Sequence, residues 1–215
     1  MPSTFVAGVT FAFLLAVFLA PLAANLALRD VREPTTVEDW ERLDSLREGV
    51  GPDLDRVRIV ETVGEASVEV SVRGPPGYKV LFVTDYVLTD LDEDIARALL
   101  AAEAGRYAVQ YSEYRAGTAT AVVGLGAAAF AGLVPLTDGM LVLAAGALVL
   151  FAGGRWLQYR ADARAAEAVG ADQLADAFET VATLHGKDLK TSGWGGYLEV
   201  QPKLGDRIER LREDW

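Results

Sequence analysis

Leu91-Asp92-Glu93-Asp94-Ile95-Ala96-Arg97-Ala98-Leu99-Leu100-Ala101-Ala102-Glu103-Ala104-Gly105-Arg106 is the stretch on which the fold turns. It reads as a helix that begins near Asp92. Asp92, Glu93 and Asp94 put negative charge on the first turn, where the helix dipole favours it. Ile95, Leu99, Ala102, Arg106 and Val109 recur at spacings of four and three and so share one face. Arg106 therefore stands on a stripe that otherwise looks like core. The helix is expected to run directly into an apolar stretch, since from Ala116 to Gly154 the only charged side chain is Asp138.

A bilayer core about 30 Å thick takes roughly 20 apolar residues as a helix. Phe5–Leu28 fits one span, and no side chain from Met1 to Leu28 is charged. Ala116–Val134 and Met140–Gly154 fit two shorter spans joined by a tip at Pro135–Gly139. A buried soluble hairpin is the competing reading of that pair. For the first run the competitor is a cleaved signal peptide, but signal peptides open with basic residues and Met1-Pro2-Ser3-Thr4 has none. Arg29 and Arg32 follow the first run, Arg106 and Arg115 precede the hairpin, and Arg155 and Arg160 follow it. Positive charge favours the cytoplasmic side. The expectation is a multi-pass protein of the cell membrane, amino terminus and hairpin tip outside. Residues 1–29 would be the anchor, 116–154 the hairpin, and 30–115 and 155–215 the two parts of one cytoplasmic domain.

The 215 residues carry a formal net charge of −11 and no cysteine. Disulfides and thiolate metal sites are thereby excluded, and the acidity argues against nucleic acid, whose phosphates need Lys and Arg. Lys occurs only at 79, 187, 190 and 203, a composition that suggests a halophilic host, with an acidic mesophilic protein as the alternative. In the first soluble segment, Thr36 followed by Asp39 reads as a capped helix start. Val57–Glu61 reads as a strand. Ser67–Arg73 alternates cleanly, with Val68, Val70 and Val72 on one side, as a half-exposed strand at a sheet edge would. Lys79–Thr84 reads as a more buried strand after the turn Gly74-Pro75-Pro76-Gly77. Beyond the hairpin, helices are expected over Arg155–Val169, Asp172–Leu184 and Lys203–Asp214, with Gly170 and Gly186 as stops and a loop at Thr191–Gly196. The result is an α+β fold, mainly helical with a small sheet, plus about three transmembrane helices.

Taken in order, these segments resemble the membrane zinc metalloproteases of the HtpX and CAAX prenyl protease family. That family has an acidic helix start leading to (apolar)-Ala-His-Glu-x-x-His, where this chain has Leu99-Leu100-Ala101-Ala102-Glu103-Ala104-Gly105-Arg106. A membrane hairpin follows, then Arg-x-x-Glu-Tyr-x-Ala-Asp, matched by Arg155-Trp156-Leu157-Gln158-Tyr159-Arg160-Ala161-Asp162. The final pattern, His-Pro and then Arg-Ile-x-x-Leu, is met by Gln201-Pro202 and Arg207-Ile208-Glu209-Arg210-Leu211. The resemblance runs from about residue 36 to the end and implies a zincin-like protease domain.

The departures fall on the chemistry. The resemblance implies zinc ligands at Ala102, Arg106 and Gln158 and a general base at Glu103, with Asp162 supporting a ligand from behind. Alanine has no donor atom, arginine is always cationic, and a neutral amide is a poor zinc ligand. Only Glu103 matches, and without metal it has no activated water to work on. The expectation is therefore no metal and no cofactor, the family's zinc having been lost. His185, the single histidine, reads as a solvated residue near a helix end rather than a ligand. Glu103 and Arg106 are three apart on one helix and can meet. Arg106 is expected to replace the metal's positive charge, paired with both Glu103 and Asp162; the alternative is that it snorkels to water at the membrane edge. Gly124-Leu125-Gly126-Ala127-Ala128-Ala129 imitates a dinucleotide fingerprint, but it lies inside an apolar run, where small residues serve helix packing.

Three functions follow as expectations. The first is a proteolytically inactive homologue that acts as a membrane adaptor or regulator. It would bind peptides or a membrane-protein partner, an active peptidase of the same family among them, along the Ser67–Arg73 edge. The second is an active metalloendopeptidase with a site rebuilt from Glu103, Asp162 or other carboxylates. The third is a structural membrane scaffold.

Overall fold

The computed structural model describes residues 2–28, 30–52, 54–62, 67–184 and 202–213. The chain opens with the long apolar helix α1 (Pro2–Leu28), followed by the short strand β1 (Val31–Arg32) and helix α2 (Val37–Arg47). Thr36 caps α2 by accepting the Asp39 amide at 3.0 Å, as its position before an acidic first turn predicts. Asp39 also grips Arg32 with both carboxylate oxygens. That guanidinium holds the Asp39 carboxyl well below the usual range, at about 2.

Strands β2 (Val57–Val60), β3 (Val70–Arg73) and β4 (Val80–Thr84) complete a four-stranded sheet of order β1-β2-β4-β3. β2 and β4 run parallel, and the two outer pairings are antiparallel. β4 is buried throughout because both faces of the sheet are covered. Leu81 and Val83 face a core with Leu43, Leu46, Ile59 and Leu100, whereas Val80 and Phe82 face Leu22 of α1. The edge expected for Ser67–Arg73 is there, with the strand itself limited to β3.

After the short helix α3 (Asp85–Thr89), Asp92 caps α4 (Glu93–Ala108) by accepting the Asp94 amide. Burial pushes the Asp85 carboxyl up. The Thr62 hydroxyl and amide and the Tyr86 amide outweigh it and hold the group below its ordinary value. α4 does not run directly into the next helix. Gln110 adopts a left-handed backbone (φ 53°) that ends α4 and redirects the chain into α5 (Tyr111–Phe130).

The return is one helix. α6 (Leu136–Val169) is continuous for 34 residues, where a short Met140–Gly154 span and a separate Arg155–Val169 helix were expected. No Pro or cap interrupts the chain between them, so the backbone ladder continues. It also starts earlier than the Pro135–Gly139 tip implies, with Pro135 at its cap. Gly170, at φ 96°, closes it, and α7 (Ala171–Leu184) and α8 (Leu204–Glu213) follow.

Pro2–Ala27 and Thr137–Val169 are long and apolar enough to cross a membrane, and only 6% of the most apolar window of each is buried by protein. Apolar helices so little covered need lipid rather than water around them. α5 packs against both, and Thr10 of α1 lies against the space a Cβ on Gly124 would enter, 3.0 Å away. Of the glycines in the Gly124–Ala129 run, Gly124 thus serves helix packing, whereas Gly126 has nothing within 4 Å.

Candidate functional site

α4 and α6 cross at a point where no side chain fits. A Cβ on Gly105 would stand 2.3 Å from the carbonyl oxygen of Ala161. Around it Ala98, Ala101 and Ala102 pack with Ala165, Ala166 and the α7 residues Leu174 and Phe178. The close approach puts the α4 positions Ala102, Glu103 and Arg106 and the α6 positions Gln158 and Asp162 on the turns beside the crossing. The stripe from Ile95 to Val109 is not the buried one. Ala96 and Leu100 face the sheet, Ala98 and Ala101 face α7, and Leu99, Ala102 and Arg106 line a cavity. Helix α4 is wrapped on three sides, so one apolar stripe underdescribes it.

Two ion pairs occupy the site, and they differ from the single triad expected. Glu103 is buried, its Oε1 accepting the Val72 amide at 2.7 Å and its Oε2 accepting Nη1 of Arg106 at 2.9 Å. Arg106 keeps 27% of its side chain exposed, and its Nε is buried with no hydrogen-bond partner among the described residues. Asp162 is not its partner. Arg207 of α8 donates to Asp162 through Nε and Nη2, both at 2.7 Å, with the two side chains 8% and 5% exposed. Gln158 Nε2 adds a third donor to Asp162 at 3.0 Å, and the Arg207 guanidinium lies 4.3 Å from the centre of the Phe178 ring. Three donors already fill most of the acceptor sites of Asp162, and its bidentate partner is Arg207 rather than Arg106.

A cavity of about 210 Å³ opens between the sheet edge and these helices, lined by Val68, Glu69 and Val70, by Leu99, Ala102 and Arg106, and by Phe178 and Arg207 among others. β3 pairs with β4 through alternate residues, and Glu69 O accepts Thr84 N. Val70 and Val72 therefore turn their amides away from β4, and Glu103 takes the second of them. The donor set does not fit a zinc ion. Ala102 offers only a methyl group, and Arg106 a guanidinium that would repel a cation and is bound to the one matching carboxylate. Gln158 donates to Asp162 through Nε2, and its Oε1, buried without a hydrogen-bond partner among the described residues, is a single neutral amide oxygen, a poor zinc ligand.

Sequence reasoning missed Arg207 as the partner of Asp162. The available signal was an arginine adjoining Ile208 and Leu211, which share its buried helix face. It also missed Lys79, which is buried and bound to Glu113 at 2.6 Å where the sheet meets α5. His185, Gly186, the Thr191–Gly196 loop, Gln201 and Asp214 lie outside the described residues.

A mixed sheet laid on a helix pair, with apolar helices leading out of and back into the domain between them, defines a membrane-metalloprotease type of fold. The crystal structure of S. mikatae Ste24p is similar to this chain, with a TM-score of 0.66 at 17% sequence identity. The likeness covers 94% of this chain and 55% of that one, so the chain spans about half the length of that protein. No protein-family model matches the chain, and no curated protein matches it in sequence.

Proposed function

We propose that this chain is a proteolytically silent relative of the Ste24/HtpX-type membrane metalloproteases, which binds extended peptide segments beside the membrane instead of cutting them. The observation that carries the reading is the state of Glu103. A general base for a metal-bound water needs a free carboxylate oxygen facing a metal. Here one oxygen holds the sheet edge and the other holds a guanidinium at a ligand position. The edge and its cavity remain, and edge strands bind peptides by strand addition, with alternate side chains entering pockets. Apolar, extended segments of membrane proteins, those of an active peptidase included, suit such a site. In this reading α5 crosses the bilayer with α1 and α6, and the sheet domain is cytoplasmic.

Purified protein is expected to carry no stoichiometric zinc, to cleave no unfolded membrane substrate, and to bind fluorescent extended apolar peptides. Val70→Pro removes an outward amide while proline remains tolerated on an edge strand, so it should weaken peptide binding about tenfold or more without unfolding the domain. About one zinc per chain, removable by chelator together with a Glu103-dependent protease activity, would overturn the silent reading. Peptide binding indifferent to Val70→Pro would overturn strand addition.

A further inference from the structure

A second cavity, of about 560 Å³, lies among α1, α5 and α6 and reaches β3 at Val72, Arg73 and Gly74. Its walls are apolar: Phe13, Val17 and Phe18 of α1, Val122 of α5, and Leu150 and Phe151 of α6 among them. The charged residues of its lining, Arg73 and Arg115, stand with Ser112 at the end nearest the sheet. Nε of Arg73 is buried with no hydrogen-bond partner among the described residues, and its one ion contact is Glu69 at a loose 3.7 Å. Arg115 has no carboxylate within salt-bridge distance among the described residues and only the Tyr111 ring, 6.0 Å from its guanidinium carbon.

We infer that this cavity binds one anionic phospholipid of the surrounding bilayer, its phosphate held by Arg73 and Arg115 and an acyl chain lying between α1, α5 and α6. The dimensions agree. On α5 the lining runs from Tyr111 to Val123, a rise of about 18 Å at about 1.5 Å per residue, of which about 12 Å lies beyond Arg115. Half of a hydrocarbon core about 30 Å thick is about 15 Å, so the cavity matches a single leaflet with its charged end at the interface. Charge agrees as well. A chain of formal net charge −11 places two guanidinium groups with little internal compensation at one apolar opening. A zwitterionic or neutral amphiphile would satisfy the walls but not the arginines. The polar end of the cavity shares β3 with the Glu103 site, since Val72 and Arg73 line it and the Val72 amide binds Glu103. None of Ala102, Glu103, Arg106, Gln158 and Asp162 lines it, so lipid binding here stands whether or not the protease reading does.

The test is native mass spectrometry of the full chain released from nanodiscs containing phosphatidylglycerol and phosphatidylcholine in equal amounts, at low salt. One phosphatidylglycerol per chain is expected, retained about thirtyfold in preference to phosphatidylcholine, the attraction two arginines exert on an acidic lipid surface. Arg73→Gln with Arg115→Gln should remove the preference, and Arg73→Lys with Arg115→Lys should restore most of it. Ala147→Phe, which fills the apolar wall, should lower retention of both lipids and leave the head-group arginines intact. Equal retention of the two lipids, a preference untouched by the Gln pair, or a dimer in place of a lipid adduct would each overturn the inference.

Discussion

Glu103 ties the sheet edge to helix α4 and to Arg106. Its carboxylate is buried with one charged and one backbone donor, so removing either partner strands charge or polarity in the interior. Because Arg106 is 27% exposed, its pair with Glu103 lies between a surface pair, about 0–1 kcal/mol, and a sealed one, about 3–5 kcal/mol on breaking. A double-mutant cycle of Glu103→Gln and Arg106→Met, read by denaturant unfolding in detergent at high salt, should give a coupling of about 1–3 kcal/mol. Coupling indistinguishable from zero would show that Arg106 does not compensate Glu103. Asp39 and Asp85 make a second prediction, for acid. Both have folded values below the ordinary carboxylate range, Asp39 through Arg32 and Asp85 through donors that outweigh its burial. Their stabilisation is present above the unfolded value near 3.8 and is lost as pH falls from there toward about 2. Unfolding midpoints measured from pH 5 to 2 should fall across that window, and less steeply in Asp39→Asn. A wild-type midpoint flat from pH 4 to 2 would contradict it.

Helix α4 fits α6 because of one missing Cβ. Gly105→Ala adds helix propensity worth up to about 1 kcal/mol, but the new carbon meets a backbone carbonyl that cannot rotate away. Overpacking of this kind costs about 1–3 kcal/mol, so the variant should be net destabilised and its two ion pairs disturbed. Gly126→Ala on α5, where nothing lies within 4 Å of the added carbon, is the control and should be close to neutral in thermal unfolding. Equal behaviour of the two variants would mean that the crossing is looser than described. The regular part of these elements was open to reading from local chemistry: Thr36 as a cap, a helix start near Asp92, Gly170 as a stop. The clean alternation expected of β3 was not met, since Ser71 is buried alongside Val72. The joins were less open to reading. Gln110 carries no turn signature, and its left-handed backbone follows from the angle at which α4 and α5 must leave one another.

α6 organises the molecule. At about 1.5 Å per residue its 34 residues reach about 51 Å, longer than the bilayer core by about 20 Å. The excess carries Gln158 and Asp162 to the sheet domain, so membrane anchoring and the polar site share one rigid rod. α1 contributes at both levels, packing on α5 and covering the sheet through Leu22. If the arginines flanking the apolar runs set orientation, Thr137→Cys should label with an impermeant thiol reagent outside intact cells, and Glu209→Cys only after lysis. External labelling of Glu209→Cys would invert the arrangement.

Apolar runs, the Thr36 cap and the order of the four protease-like patterns were legible in the chain because each depends on neighbours a few residues apart. That Ala102, Arg106 and Gln158 make a poor zinc donor set was legible for the same reason, since the donor chemistry of a side chain is the same wherever it sits. Which carboxylate meets which guanidinium was not. Glu103 and Arg106 could be paired from helical spacing, but Asp162 and Arg207 are 45 residues apart. Their union depends on how α8 docks against α6 and α7. The same holds for the Val72 amide on Glu103 and for the cavity between α1, α5 and α6. A buried charge takes the partner that packing delivers in bidentate geometry, and packing among distant segments is a property of the folded chain alone.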